Sequence, residues 1–306
     1  MLHPTTESDC GECAADPVYH WTSVAKVPTL TEALGHDADA RLMILSADLV
    51  GSTHAATAAG IHALRTGLAT TATLMMPGPW ARHAANHFTA ESNLDIGVHL
   101  TLNAELEDFR WGPLTQAPSL LDGDGGFPRT LVDLWDHADI DEVRRECRAQ
   151  VERATSWGVE ITHLTTHLLA LQQRPEFFDV LLSIAREARL PLRLESGTAE
   201  GDAGFPFRAL AEQEGIWMPD HFRLVRGGTR AHLEAVLTNV PAGVTEVAFA
   251  PALAAEELRA IDPAAAGRFD DLAVLTDGTL AERLERLDIV RIGYRSIRDA
   301  MRSAMT

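Results

Sequence analysis

The chain has 306 residues, of which 46 % are hydrophobic and 23 % are charged, so it is long enough and apolar enough to bury a globular core. Its 44 acidic and 26 basic residues give a formal net charge of −18, which argues against nucleic acid and anionic membrane surfaces as partners. No apolar run approaches the ~18 residues of a membrane span and no signal-peptide pattern opens the chain, so we expect a cytoplasmic protein and leave a homodimer open.

The predicted elements of the first hundred residues alternate between helix and strand. A short helix at 30–34 precedes an apolar strand at 41–47, and Gly51-Ser52-Thr53 then supplies a turn and a cap. The elements that follow are a helix at 54–66, a strand at 69–75, a helix at 79–88 and a strand at 94–100. This alternation predicts a parallel sheet that is wrapped by helices.

Regular patterning fails between residues 103 and 128, which we interpret as a long loop. The segment 196–230 is also irregular and Gly-rich, and it contains Asp220 and His221 as candidate site residues. The remaining predicted elements are helices at 130–136, 140–157, 175–188, 231–239, 266–274, 279–287 and 296–303, and strands at 160–163, 190–194, 244–249 and 288–293. We expect the carboxylates next to Arg268 to form a solvated helix start.

About seven parallel strands in alternation favour an α/β fold, an irregular (β/α) barrel, over an open sheet. We assign residues 39–306 to a single barrel domain and residues 1–38 to an N-terminal extension that is partly mobile. Cys10 and Cys13 have the spacing of half a zinc site, but they lack a partner pair and we interpret them as incidental.

Chemistry-bearing side chains follow several of the predicted strands. Asp48 ends the first strand, His99 ends the third, and His163 and His167 flank the end of the fourth. Because the carboxyl ends of parallel strands meet at one edge of the sheet, we expect these side chains to share a pocket. Two histidines and a carboxylate are a usual ligand set for a hydrolytic divalent metal such as Zn²⁺ or Mg²⁺.

A metal held by such a set would lower the pKa of its bound water toward ~7 and would polarise a carbonyl oxygen. A carboxylate such as Asp48 could then take a proton from that water. The arrangement is that of an amide or ester hydrolase.

Five segments resemble the YdjC/ChbG (ChbG/HpnK) family of carbohydrate deacetylases, and the resemblance extends from about residue 30 to residue 302. They are, in chain order, Leu42-Met-Ile-Leu-Ser-Ala-Asp48-Leu49-Val-Gly51, Leu94-Asp-Ile-Gly-Val-His99-Leu-Thr-Leu102, Thr162-His163-Leu-Thr165-Thr-His167, Leu190-Pro-Leu-Arg193 and Arg291-Ile-Gly-Tyr-Arg295. The resemblance implies an irregular (β/α) barrel, a divalent metal, and hydrolysis of the acetamide of N-acetylated sugars.

The resemblance also implies roles for individual residues. Asp48 occupies the position of the general base, His99 and His167 those of two metal ligands, and Arg193 that of a site arginine. Three positions depart from the family pattern: Leu49 replaces a ligand aspartate, Thr165 replaces the Asp of His-x-Asp-x-His, and Ala250 replaces the His of a His-Pro pair.

Two interpretations follow from these departures. In the first, Asp48 serves as the third ligand and His54 or His163 transfers protons, so the chain remains a hydrolase of a small carbohydrate. In the second, the chain is a catalytically impaired protein that binds a carbohydrate or a protein partner. Trp111 and Phe127, with His54, are the candidate substrate-binding residues, since aromatic rings stack on sugar faces.

Overall fold

The computed structural model describes residues 28–225, 227–228 and 230–305, and Cys10 and Cys13 lie outside these ranges. The described strands are β1 Arg41–Val50, β2 Thr71–Leu74, β3 Ile96–Leu100, β4 Ile161–Thr166, β5 His221–Leu224, β6 Gly243–Phe249 and β7 Ile289–Arg291. The described helices are α1 Leu30–Ala33, α2 His54–Thr66, α3 Ala81–Ala90, α4 Leu131–His137, α5 Ile140–Ser156, α6 Pro175–Ala188, α7 Ala199–Ala203, α8 Phe207–Gln213, α9 Arg230–Thr238, α10 Glu256–Ile261, α11 Ala265–Leu275, α12 Gly278–Arg286 and α13 Tyr294–Ala304.

All seven described strands belong to one sheet, and every pairing in it is parallel. The hydrogen-bonded order is β4-β3-β2-β1-β6-β5, and β7 pairs with the start of β1. No ladder joins β4 to β5 within the described ranges, so the sheet curves into a barrel that stays open on one side. The prediction of an α/β fold with about seven parallel strands is confirmed.

The open side of the barrel is where the prediction of a strand at 190–194 is wrong. This segment forms a single bridge, between Leu192 and Leu164 of β4. Pro191 has no N–H to donate, which prevents a continued ladder at this point. The sheet gains its seventh strand from β5 instead, inside the segment that we predicted to be irregular.

The two faces of β1 explain where the core and the polar site lie. Because side chains alternate along a strand, Met43 and Leu45 face the helices, whereas Leu42 and Ile44 face the barrel interior. Tyr294 and Ile297 of α13 pack on Leu42 and Ile44, and Leu30 and Leu34 pack against the same cluster. The lower barrel is therefore filled by apolar side chains, which leaves the carboxyl ends of the strands for chemistry.

No described helix is long and apolar enough to cross a lipid bilayer.

Candidate functional site

The interior of the upper barrel is polar. Continuing the alternation of β1, Ser46 and Asp48 follow Ile44 on the inward face, and both are buried. Thr73 of β2 donates a hydrogen bond to Asp48 Oδ1 at 3.1 Å, and Ser46 Oγ donates to the same oxygen at 2.9 Å. These contacts hold the Asp48 carboxylate at the carboxyl end of the sheet.

Arg193 is clamped between two buried carboxylates. Its guanidinium donates to Asp48 Oδ2 at 2.7 Å and to Asp48 Oδ1 at 3.0 Å, a bidentate pair. It also donates to Glu246 Oε1 of β6, with Nε at 2.8 Å and Nη2 at 2.5 Å. The side chain of Arg193 is only 4 % exposed, so these ion pairs are shielded from water.

The clamp sets the charge state of Asp48. Burial alone would raise the pKa of Asp48, but the charge and hydrogen bonds of Arg193 outweigh burial and hold that pKa well below its ordinary value. Burial raises the pKa of Glu246, and Arg193 offsets this effect only in part. Asp48 is therefore ionised at neutral pH, and a carboxylate with so low a pKa is a weak proton acceptor.

His163 lies below the pocket rather than in it. The β-branched Thr165 and Thr166 extend β4 to residue 166, so His163 falls inside the strand and not at its end. Its ring is fully buried and stacks on Tyr294, with centroids 3.8 Å apart. His167 directly follows β4, and four residues of extended chain span about 13 Å, so His163 and His167 do not share one ion.

His99 and His167 do come together. The register that pairs His99 of β3 with Thr165 of β4 brings His99 Nδ1 within 2.6 Å of Thr165 Oγ1. His99 Nε2 lies 3.2 Å from His167 Nδ1, and His167 Nε2 lies 2.8 Å from Glu105 Oε2. Four side chains thus form a continuous hydrogen-bonded chain at the barrel mouth.

Two cavities open beside this chain. One, of about 230 Å³, is lined by Asp48, His99 and Arg193 together with apolar side chains of the rim. The other, of about 180 Å³, is lined by Glu105, His167 and Trp111 among others. The opening of the barrel at the carboxyl ends of the strands is thus divided into two cavities, one lined by His99 and the other by His167. We call this opening the divided mouth.

Leu49 and Ala250 line both cavities, at two of the positions that depart from the resembling family. Leu49 has a φ of 67°, a left-handed conformation that is uncommon for a residue with its bulk. Ser52 stabilises this turn through hydrogen bonds from both its backbone N–H and its hydroxyl to the Leu49 carbonyl. The turn therefore directs an aliphatic side chain to the boundary between the cavities.

The expectation of a solvated helix start near Arg268 holds for the exposure of Asp270 but is wrong for Asp271, and both residues lie inside α11 rather than at its start. Arg268 and Asp271 are buried and line the cavity beside His167. Asp271 accepts hydrogen bonds from the backbone N–H groups of Gly228 and Ala250, and Arg268 pairs with Asp262 at 2.9 Å. These side chains fix the loop that follows β6.

The candidate substrate-binding residues occupy three different settings. Trp111 lines the cavity of His167, with ring centroids 6.3 Å apart. Phe127 is completely buried and lines neither of the two cavities. His54 is exposed at the start of α2, where its ring centroid lies 4.9 Å from that of Trp80. It lines a separate depression.

Asp220 and His221 are the candidates from the irregular segment. They lie at the opposite edge of the sheet, which is formed by the amino-terminal ends of the strands. They adjoin the first residues of β5 and β6, and Asp220 accepts a hydrogen bond from the Val244 backbone N–H at 2.7 Å. Because the strands are parallel, this edge is remote from the carboxyl ends where Asp48 lies.

Three residues that contact the site were not predicted from the sequence as site residues: Glu105, Glu246 and Tyr294. Glu246 carried a signal, because a carboxylate between Thr245 and Val247 in an apolar strand needs a buried partner. Glu105 carried none, since acidic residues in a polar loop are usually solvated.

The chain is similar in sequence to a protein family and to several named enzymes. The family model described as "YdjC-like protein" matches residues 42–286. A carbohydrate deacetylase of Geobacillus stearothermophilus is 30 % identical over 256 residues, which cover 83 % of this chain and 97 % of that protein. A carbohydrate deacetylase of Thermus thermophilus is 39 % identical over 187 residues, which cover 61 % of this chain and 65 % of that protein.

Among solved structures, a putative cellobiose-phosphate cleavage protein from Enterococcus faecalis is similar in fold. It superposes with a TM-score of 0.72 at 24 % identity, over 84 % of this chain and 99 % of that one. At that identity the likeness supports the curved parallel sheet with its flanking helices.

Proposed function

Since the chain belongs to the YdjC-like protein family, we propose that it is a carbohydrate deacetylase-like hydrolase that removes the acetyl group from an N-acetylated sugar at the barrel mouth. The observation that carries the proposal is that Asp48, His99 and Arg193 line one cavity at the carboxyl ends of the strands. His167 lies on the other side of the same mouth. The names of similar proteins support a carbohydrate as the substrate.

Hydrolysis of an acetamide adds water to the carbonyl carbon, breaks the C–N bond, and returns a proton to the amine. Imidazole suits both proton transfers because its ordinary pKa is close to neutrality. The histidine pair is therefore the better proton carrier, since Arg193 holds Asp48 ionised and weakly basic. Asp48 instead fixes the guanidinium of Arg193, which lines the same cavity.

The family resemblance further implies a divalent metal, Mg²⁺ or Zn²⁺, and the histidine pair supplies two of the donors that such an ion would need. Two nitrogen ligands of one zinc ion lie about 3.3 Å apart, and His99 Nε2 and His167 Nδ1 are 3.2 Å apart. However, Leu49 offers no donor, and both Asp48 oxygens accept hydrogen bonds from Arg193. The described residues contain no group of three or more His, Cys, Asp or Glu side chains that could hold a metal ion.

Two imidazoles are therefore one ligand short of the three that protein side chains give a catalytic zinc, and they are poor ligands for Mg²⁺, which prefers oxygen. The residues present do not fit a resident ion of either kind. We accordingly assign the proton transfers to side chains of this chain alone.

Binding without turnover is the second candidate function. The observation that favours it is that Leu49 and Ala250 make the boundary of the two cavities apolar at positions where the resembling family has Asp and His. Such a mouth would still receive a sugar ring, but it would lack the polar groups of positions 49 and 250 at the reacting amide.

Acetate release from N-acetylglucosamine and its β-1,4-linked disaccharide tests the proposal. We expect turnover by the purified chain, in the presence of a chelator, and its loss in His99→Ala. His137→Ala is the matched control, because His137 is exposed on α4. Sugar binding detected by calorimetry without acetate release would favour the second candidate, and neither binding nor release would contradict both.

A further inference from the structure

Glu105 contacts the histidine pair from the long segment that follows β3. Its Oε2 lies 2.8 Å from His167 Nε2, and the two side chains line the same cavity. The His167 side chain is 1 % exposed, whereas that of Glu105 is 34 % exposed. A partly solvated carboxylate therefore contacts one ring nitrogen of a buried imidazole.

The segment that carries Glu105 is anchored on both sides. Asn103 donates to the carbonyls of Pro128 and Thr130, at 3.1 and 3.0 Å. The Trp111 indole donates to the Asn103 carbonyl at 2.8 Å. Glu146, which is buried on α5, accepts from the backbone N–H groups of residues 114 and 115. These contacts hold Glu105 in place against His167.

The chemistry of the carboxylate gives the hydrogen-bonded chain a direction. An ionised carboxylate can only accept, so His167 Nε2 carries the hydrogen. In a neutral ring this leaves His167 Nδ1 as an acceptor, and His99 Nε2 must be the donor across the 3.2 Å contact. His99 Nδ1 then accepts from the Thr165 hydroxyl at 2.6 Å. The contact with Glu105 thus sets the direction of the described hydrogen bonds that join the two histidines.

We propose that Glu105 is a positioning residue for the deacetylation reaction: it holds His167 as the Nε2–H tautomer, so that Nδ1 is the nitrogen that accepts a proton. This inference rests on the proposed function. In the step it supports, a water molecule displaces the His99 contact and gives its proton to His167 Nδ1 as its oxygen bonds to the carbonyl carbon. The resulting imidazolium, stabilised by the Glu105 carboxylate, returns that proton to the nitrogen as the C–N bond breaks.

The other carboxylates that line the two cavities bind partners other than the histidine pair. Asp48 is bound by Arg193, Asp262 pairs with Arg268, and Asp271 accepts from two backbone N–H groups. At the other end of the hydrogen-bonded series of side chains, the Thr165 hydroxyl contacts His99 Nδ1. Both rings therefore have hydrogen-bond partners without an ion between them. The histidine pair is thereby arranged for proton transfer by side chains that belong to this chain.

Two substitutions separate charge from shape. Glu105→Ala removes the carboxylate, whereas Glu105→Gln keeps an acceptor oxygen and removes the charge. Glu107→Ala is the control, because Glu107 is 79 % exposed on the same segment and pairs with Arg129. On N-acetylglucosamine, we expect kcat to fall about 100-fold in Glu105→Ala with KM nearly unchanged. We expect a smaller fall in Glu105→Gln and none in Glu107→Ala.

A second measurement does not depend on activity. In ¹H–¹⁵N spectra of the imidazole side chains, we expect wild-type His167 to be the Nε2–H tautomer and Glu105→Ala to show mixed tautomers. An Nδ1–H tautomer in the wild type, or unchanged tautomers in Glu105→Ala, would overturn the inference. If no acetate is released by the wild type while the tautomers behave as expected, the proposed function fails and the positioning of His167 by Glu105 stands.

Discussion

His99 and His167 face one another across the barrel mouth, with 3.2 Å between Nε2 of the first and Nδ1 of the second. They come from neighbouring strands, since His99 lies in β3 and His167 directly follows β4. Their spacing equals that of two ligands on one ion, yet hydrogen bonds to Thr165 and Glu105 hold the pair in this structure. The site is therefore poised between a metal centre that lacks one ligand and a proton-transfer pair.

Leu49→Asp should increase metal affinity, because a carboxylate would be added at the boundary of the two cavities. We expect Zn²⁺ to bind at least ~10-fold more tightly, as measured by calorimetry. Aspartate also adopts the left-handed conformation of residue 49 more readily than leucine does. Leu49→Asn is the control: it relieves the same backbone conformation without adding charge, so an equal gain in affinity there would contradict the interpretation.

Replacement of Arg193 should destabilise the fold strongly. Arg193→Met leaves Asp48 and Glu246 as buried carboxylates without their cation, and we expect the free energy of unfolding to fall by about 3–5 kcal/mol. Urea denaturation provides the measurement. Arg129→Met removes exposed pairs with Glu107 and Asp124 and should cost about 0–1 kcal/mol. Similar losses in the two variants would show that the buried clamp does not stabilise the barrel.

Sequence reasoning predicted the positions of the candidate side chains that follow apolar strands. Asp48 and His99 stand at the ends of long hydrophobic runs, so their common edge followed from the parallel alternation. β5 was missed because Arg223 and Leu224 are exposed and interrupt any buried pattern. His163 was predicted to end its strand, but Leu164 and the β-branched Thr165 and Thr166 continue β4 to residue 166.

Contacts between distant segments were beyond sequence reasoning. The contact between Glu105 and His167 joins residues 62 apart, and that between Arg193 and Asp48 joins residues 145 apart. Neither separation leaves a periodic signal in the chain, because side-chain pairing across the barrel depends on register and on loop path.

The ion pair of Asp48 should make its contribution to stability depend on pH. A carboxyl whose pKa is lower in the folded than in the unfolded state stabilises the fold above the unfolded value of about 4, and this stabilisation is lost as the pH falls toward the folded value. The free energy of unfolding, measured by urea denaturation, should therefore be higher for the wild type than for Asp48→Asn. This difference should be largest at pH 7 and smaller at pH 3. The same comparison for Asp108→Asn, at an exposed position, should show little difference; a pH-independent difference for Asp48→Asn would contradict the assignment.

Gly97 should not tolerate a side chain. A Cβ at this position would lie 2.5 Å from His163 Cε1 and 2.6 Å from the His163 carbonyl oxygen, so β3 and β4 could not keep their spacing. We expect Gly97→Ala to lower the free energy of unfolding by about 1–3 kcal/mol, measured by urea denaturation. Gly123→Ala, where no atom lies within 4 Å of the added carbon, is the control and should unfold like the wild type.

The location of a bound N-acetylated sugar tests the central claim most directly. We predict that a crystal soaked with the β-1,4-linked disaccharide of N-acetylglucosamine will show the acetamide in the divided mouth, in contact with His99 or His167 and beside Asp48. A sugar that occupies only the opposite edge of the sheet, near Asp220, or no bound sugar at saturating concentration, would contradict the assignment of this mouth as the site of deacetylation.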